Sequence, residues 1–222
     1  MRILTLLTLL SSFAFARDIN LTIDNTVNFR GRVDFSSMQD LQAQLLEKHL
    51  NRKDGEIIYL VINSPGGSIS AGNVFINFAK NIPNVKTVCI FCASMAHHIS
   101  QALPGERLGS AGAVMMAHRA RGTISGQFED GELEERLKLW RGIVRKMEKI
   151  NADRIGISLA EYKKRVKDEW WSHDYEAKAE GVLDDIVNIK CSNELMKDSK
   201  TETYQTLFGP VTVTIPSCPL MI

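Results

Sequence analysis

One serine of this chain stands where a nucleophile could work. Ser94 lies in the stretch C-A-S-M-A at positions 92–96, after an apolar run and ahead of a helical pattern. The first turn of a helix carries free N–H groups and partial positive charge, which can stabilise the oxyanion of an acyl-transfer reaction. A serine that only caps a helix would look the same. Ser94 is therefore a candidate nucleophile that needs partners.

Two other features follow predicted strands and could supply those partners. The pair Gly66-Gly67 ends an apolar run, and glycine lets a backbone approach a substrate closely and expose an N–H group. His118 ends another apolar run, and imidazole is well suited to take a serine proton near neutral pH. His97 and His98 compete for that role from the helix after Ser94, where their direction of approach is poor. We expect neither of them to be catalytic.

A carboxylate is the third group that such chemistry uses. Asp168 and Glu169 directly precede Trp170-Trp171, an aromatic pair that we expect to be partly buried. A carboxylate held there could bind the imidazole N–H and fix its tautomer. Two ordinary surface acids would give the same pattern, so this position alone does not decide the matter.

The elements that must position these side chains alternate between strands and helices, which predicts an α/β fold with crossover units. The stretch E-I-I-Y-L-V-I-N at 56–63 is almost continuously apolar, which is typical of a parallel strand covered on both faces. The predicted strands are residues 26–33, 56–63, 85–91, 113–117 and 183–189. The predicted helices start near residues 36, 68, 94, 131, 158 and 172, with Ser36 or Ser37, Ser68 or Ser70, Ser158 and Ser172 as candidate caps.

Helical spacing assigns an apolar face to three of these helices. The inward residues it predicts are Leu41, Leu45 and Leu46, then Ala71, Val74, Phe75 and Phe78, then Leu133, Leu137, Trp140, Val144 and Met147. The chain changes character near residue 190, where a polar stretch is followed by the strand-like V-T-V-T-I-P. We predict a C-terminal extension over 190–222, to which the sequence assigns no role.

Four segments in a fixed order carry a resemblance to a known family. They are I-Y-L-V-I-N-S-P-G-G-S-I-S-A-G (58–72), A-S-M-A (93–96), G-E-R-L-G-S-A-G-A-V-M-M-A-H (105–118), and residues 168–184, which begin D-E-W-W-S and end G-V-L-D. With them the chain resembles the ClpP family of serine peptidases over roughly residues 28–189. The resemblance implies a ClpP/crotonase-like fold: repeated β-β-α units, a parallel sheet flanked by helices, and a protruding handle helix.

The resemblance also implies a role for each candidate. Ser94 would attack the peptide carbonyl, His118 would act as general base, and Asp168 would orient the histidine. The backbone N–H groups of Gly67 and Met95 would form the oxyanion hole. The implied substrates are peptides or unfolded proteins, cleaved by a serine-type endopeptidase without a cofactor or metal.

The implied assembly is a homo-oligomer of heptameric rings, stacked in pairs through the handle, for which residues 123–128 and the helix from Gly131 are the candidates. The chain departs from the family at Phe91-Cys92-Ala93, where a glycine-alanine approach is usual, and at Arg119-Ala120, where Gln-Pro is common. A AAA+ ATPase partner is doubtful, because the segment before the first strand is short and an exported enzyme would lack ATP.

Export is predicted from the first 16 residues. Arg2 supplies a positive start, residues 3–10 are apolar, and Ala14-Phe15-Ala16 is a small-residue cleavage pattern. Cleavage would leave residues 17–189 as the peptidase domain, in a periplasmic or secreted location. An uncleaved anchor or a buried first strand is the alternative, and a chain whose N-terminus is not a signal would be cytoplasmic.

Four cysteines suit an oxidising compartment. Cys191 and Cys218 both lie in the C-terminal segment and could pair. Cys89 and Cys92 have the C-x-x-C spacing of metal or redox sites, but within the apolar V-C-I-F-C-A we interpret them as buried structural residues. The sequence does not determine their redox state.

Composition excludes one class of partner and leaves two other functions open. Lys plus Arg is 27 and Asp plus Glu is 26, so the net charge is close to zero. Nucleic-acid binding, which needs a concentrated basic surface, is therefore not predicted. A signal-peptide-peptidase-like protease with a Ser–Lys pair shares the S-P-G-G turn and would use Lys146 or Lys149. A non-enzymatic homologue that keeps only the ring is the other alternative.

Overall fold

Seven strands form the main sheet, and six of them are parallel. The computed structural model describes residues 16–123 and 125–220. In chain order the strands are β1 Arg17–Leu21, β2 Thr26–Arg30, β3 Ile58–Ser64, β4 Val85–Ala93, β5 Arg107–Ala117, β6 Trp170–His173 and β7 Asp185–Cys191. Across the sheet the order is β1-β7-β5-β4-β3-β2, with β6 antiparallel to β5. The mixed α/β fold with a mostly parallel sheet is thereby confirmed.

Helices fill the crossovers. They are α1 Phe35–Asn51, α2 Ile69–Ala79, α3 Met95–Ala102, α4 Glu132–Ile155, α5 Leu159–Arg165, α6 Asp174–Ala179 and, in the C-terminal segment, α7 Asn193–Lys197. Ser68 and Ser158 accept hydrogen bonds from the backbone of Ala71 and Glu161, as predicted caps should. The predicted caps of two other helices were wrong, because Asp34 caps α1, while Ser172 lies within β6 and His173 precedes α6.

The helices cover one face of the sheet with a continuous apolar core that includes Leu41, Leu45 and Phe75. On α1 and α2, two residues predicted to face this core do not: Leu46 is 41% exposed and Val74 is 52% exposed. Both lie at the margin of the apolar stripe, where the helix surface turns away from the sheet. Residues 17–21 add an edge strand, β1, that the sequence patterns did not predict, and it pairs with β7.

The C-terminal segment covers the other face. Val61, Val88, Leu108 and Val187 of the sheet pack in one buried cluster with Leu195 of α7 and with Cys218. Strands β8 Ser199–Thr206 and β9 Gly209–Pro216 form a separate two-stranded hairpin between those two contacts. A disulfide joins Cys191 to Cys218 and closes the segment at its base, as the spacing allowed.

The predicted leader, residues 1–16, lies outside the described residues except for Ala16. Within residues 16–123 and 125–220, no helix combines the length and the apolar character that crossing a membrane requires.

Candidate active site

Ser94 occupies a strained turn between a strand and a helix. β4 ends at Ala93 and α3 begins at Met95, and Ser94 between them has φ 56° and ψ −116°. A side chain rarely adopts this backbone conformation unless the surroundings impose it. Ser94 N–H donates to Met116 O at 2.8 Å, and His98 N–H donates to Ser94 O at 3.1 Å. The turn thus projects a half-buried hydroxyl from the carboxyl end of the sheet, as nucleophile turns of hydrolases do.

The strand that leads to this turn contains a bulge and a disulfide. Ile90 is skipped in the pairing of β4 with both neighbours, because Cys89 and Phe91 are the successive partners on either side. The bulge shortens the strand and turns Cys89 and Cys92 into the same core, where a disulfide joins them with their Cα atoms 5.7 Å apart. Both cysteines are buried, as predicted, and the link restrains the chain two residues before Ser94.

His118 reaches Ser94 from the neighbouring strand. β4 and β5 are parallel, with Ala93 opposite Met116, so both strands end at the same edge of the sheet. His118 Nε2 and Ser94 Oγ are 2.7 Å apart. With the ring proton on Nδ1, the hydroxyl donates to Nε2, which is the arrangement a general base needs. The two residues that the sequence singled out most strongly therefore meet.

Asp168 does not make the third contact in this structure. Nδ1 of His118 is buried and forms no hydrogen bond with any residue that the structure describes. Asp168 is exposed, yet it lines one cavity of about 270 Å³ together with His118. The adjacent Glu169 is already engaged, since it accepts from Trp171 Nε1 at 3.0 Å and lies 3.6 Å from the Arg121 guanidinium. A buried polar atom without a partner is costly, so Nδ1 requires one.

The glycine turn lies against the serine turn. Val33 N–H donates to Gly66 O, and Ser68 N–H donates to Val33 O, so Gly67 between them directs its own N–H away from Val33. Gly67 lines a groove of about 280 Å³ that also contains Ser94 and His118. The Met95 N–H belongs to the first turn of α3, where helical N–H groups have no intrahelical partner. Gly67 therefore shares a groove with Ser94, and Met95 follows the serine directly in the chain.

A comparison with protein-family models agrees with this geometry. The model described as Clp protease matches residues 8–190. The chain belongs to the Clp protease family. Family membership supports a peptidase of the serine type, and it accounts for the order of segments along the chain.

A polar cluster behind Ser94 is what sequence reasoning missed in this Clp protease. His98 Nδ1 is 2.6 Å from Asn151 Oδ1, and Asn151 Nδ2 donates to the Tyr162 hydroxyl at 2.8 Å. All three residues are buried. Burial lowers the pKa of His98, although its bond to Asn151 acts in the opposite direction. The histidine pair in the sequence was a signal, but nothing in it pointed to Asn151 or Tyr162.

His97 and His98 both lie in the protein interior, which agrees with the expectation that neither competes with His118. Burial, with the nearby His98 and Arg107, lowers the pKa of His97 to about 3. The His97 ring is therefore neutral near pH 7.

The contact between the two turns predicts a specific sensitivity at Gly66. A methyl group there would lie 2.5 Å from Ala93 O and 2.6 Å from Met95 N, both backbone atoms. We expect Gly66→Ala to lower the free energy of unfolding by about 3 kcal/mol, from overpacking and from the positive φ together. Peptidase activity should fall by at least about 100-fold, because the serine turn shifts. Denaturant unfolding and peptide assays measure the two effects.

Gly112→Ala is the matched control, since Gly112 has φ 80° against 87° for Gly66 but no atom within 4 Å of an added methyl group. It should lose only about 1–2 kcal/mol. Equal losses in the two variants would contradict the packing argument.

Proposed function

We propose that this Clp family member is a serine endopeptidase that cleaves peptides or unfolded proteins through Ser94, His118 and Asp168. The observation that carries the proposal is the 2.7 Å contact between Ser94 Oγ and His118 Nε2. Next to this pair lie two glycines and a helix N-terminus, which supply the N–H groups that acyl transfer requires. The Ser94 side chain makes no capping hydrogen bond to α3, which further favours a catalytic serine over a helix cap.

The proposed reaction uses these groups in a fixed order. Ser94 Oγ attacks the peptide carbonyl while His118 Nε2 takes its proton, and the N–H groups of Gly67 and Met95 bind the oxyanion. His118 then protonates the leaving amine, and water hydrolyses the acyl-enzyme by the reverse sequence. Asp168 joins the site by rotating from its exposed position onto Nδ1, which would satisfy the nitrogen of the His118 ring that has no partner among the described residues.

The Ser–Lys alternative receives less support. Lys149 binds Asp153 at 2.8 Å with a side chain that is 64% exposed. Lys146 is also exposed. Neither lysine lines the described cavities that contain Ser94, whereas His118 lines all of them.

A ring assembly is part of the proposal, and the surface of α4 supports it. Of its 24 residues only Asn151, Ala152 and Ile155 are buried, although the helix carries a regular apolar pattern. Leu133 and Leu139 are 36% and 66% exposed. An apolar stripe outside the subunit core is typical of an interface. Residues 123–128 were proposed to accompany this helix in the handle, and those that the structure describes, 123 and 125–128, form no strand.

An exported location also remains our proposal. Both disulfides, Cys89–Cys92 and Cys191–Cys218, suit an oxidising compartment, where such bonds form and persist. The proposed substrates are therefore peptides or unfolded proteins in the periplasm or outside the cell.

A fluorophosphonate probe tests the proposed function directly. The folded full chain should form a covalent adduct at neutral pH, detected by intact mass and mapped to Ser94. Ser94→Ala should abolish labelling, while Ser36→Ala, which removes an exposed serine from α1, should leave it unchanged. Absence of Ser94-dependent labelling in folded, assembled protein would favour the non-enzymatic homologue.

A further inference from the structure

A small cavity lies beside the reacting pair and extends between α3 and α4. It has a volume of about 50 Å³ and is lined by Ser94 and His118 at one side. A water-sized group needs about 10–15 Å³ by this measure, so the cavity has room for roughly four such groups. That is the size of a short side chain. If the proposed function holds, a cavity next to the nucleophile receives the substrate side chain that precedes the scissile bond.

The lining of this cavity changes from apolar to polar. Ile69, Met95, Val144 and Met147 supply apolar walls. His98, Asn151 and Tyr162 supply the hydrogen-bonded cluster described above. Glu148 also contributes, but its carboxylate is 3.4 Å from Lys163 Nζ and its charge is thereby balanced.

The hydrogen bonds determine which groups the cluster still offers. An amide oxygen can only accept, so His98 Nδ1 donates to Asn151 Oδ1 and carries the ring proton. The neutral ring then presents Nε2 as an acceptor. The Tyr162 hydroxyl accepts from Asn151 and keeps its own proton to donate. Neither of these two groups bonds to another side chain or backbone group in the part of the chain that is described. The His98 ring therefore offers an acceptor, and the Tyr162 hydroxyl offers a donor.

We propose that this cavity selects a carboxamide side chain, asparagine or glutamine, at the substrate position before the scissile bond. A carboxamide carries one N–H donor group and one C=O acceptor, which complements the free acceptor and donor of the cluster. An aliphatic side chain of the same size would leave both groups unpaired, and a site built for hydrogen bonds discriminates strongly against such an analogue. A carboxylate would lack the donor that His98 needs.

Matched peptide substrates test the proposal. The substrates are fluorogenic peptides that differ only at this position. Asparagine is compared with leucine and glutamine with methionine, because the two side chains of each pair match in size. We expect kcat/KM to be at least about 10-fold higher for the carboxamide of each pair. A preference for leucine or methionine would overturn the inference, while continued Ser94-dependent hydrolysis would leave the proposed function intact. No hydrolysis and no probe labelling of Ser94 would overturn both.

Variants of the cluster give a second readout. His98→Phe and Tyr162→Phe should each reduce the carboxamide preference at least about fivefold, with probe labelling of Ser94 retained. Tyr162→Phe keeps the ring contact with Trp170, whose centroid is 6.2 Å away. Tyr59→Phe, which removes a hydroxyl from the opposite face of the sheet, should leave the ratio unchanged. An unchanged ratio of kcat/KM values in Tyr162→Phe would contradict the inference. If His98→Phe does not fold, the ratio measured for the wild-type protein decides.

Discussion

Replacing His118 by alanine is expected to lower kcat/KM for peptide hydrolysis by about 10⁵-fold, because the Ser94 hydroxyl loses the base that takes its proton. Fluorophosphonate labelling of Ser94 should slow in parallel, since the same proton transfer activates the nucleophile. Steady-state peptide assays on assembled protein, with labelling rates from intact mass, measure both quantities.

His173→Ala is the control for this variant, because the His173 side chain is 71% exposed and its ion pair with Glu176, at 3.6 Å, lies at the surface. It should retain activity within about twofold, as surface pairs of this kind contribute little. An His118→Ala enzyme with more than about a tenth of wild-type activity would contradict the assignment of His118 as general base.

Replacing Asp168 by asparagine is expected to lower kcat by about 10⁴-fold, the size of effect that loss of the orienting carboxylate has in serine peptidases. The reason is the buried Nδ1 of His118, which has no hydrogen-bond partner in the described chain. Asparagine can present a donor to that nitrogen and stabilise the wrong tautomer, while the fold is preserved. The pH profile of kcat should change shape as well, which a purely structural effect would not cause.

Glu169→Gln distinguishes the two neighbouring acids. Glu169 contacts Arg121 and Trp171 and has no contact with His118 among the hydrogen bonds described, so its loss should cost less than about threefold. A large loss in Glu169→Gln together with a small loss in Asp168→Asn would reverse the assignment and make Glu169 the orienting residue.

Strand ends were the part of the site that could be predicted from sequence. The apolar runs before Ser94, Gly66 and His118 identify three parallel strands, and parallel strands deliver their carboxyl ends to one edge of a sheet. The predicted meeting of Ser94 and His118 follows from that rule together with the family resemblance. The position of Asp168 follows from neither, because it lies in a loop beyond α5 whose conformation depends on contacts that no local pattern encodes.

Helical periodicity predicted where the helices lie better than it predicted what packs against them. The stripe that runs from Leu133 to Met147 was correctly periodic, yet most of α4 lies outside the subunit core. A pattern of apolar residues indicates that a helix face is buried, but it does not say whether the same chain or a partner buries it.

The Cys89–Cys92 disulfide could not be predicted from the spacing of the two cysteines. Two residues three apart in a regular strand face opposite sides, and only the bulge at Ile90 brings these two to the same side.

The C-terminal segment has a practical consequence for anyone who would shorten this protein. A truncation at residue 190, where the family match ends, would remove Leu195 and Cys218 from the buried cluster on the second sheet face. Val61, Val88 and Leu108 would then be exposed to solvent as one contiguous apolar surface, which favours aggregation. The hydrogen bonds from Asn28 and Arg30 to Ser217 O and Cys218 O would be lost with them. A shortened version of this protein should therefore end after Cys218. The C-terminal segment is part of the folded domain, because it covers one face of the sheet.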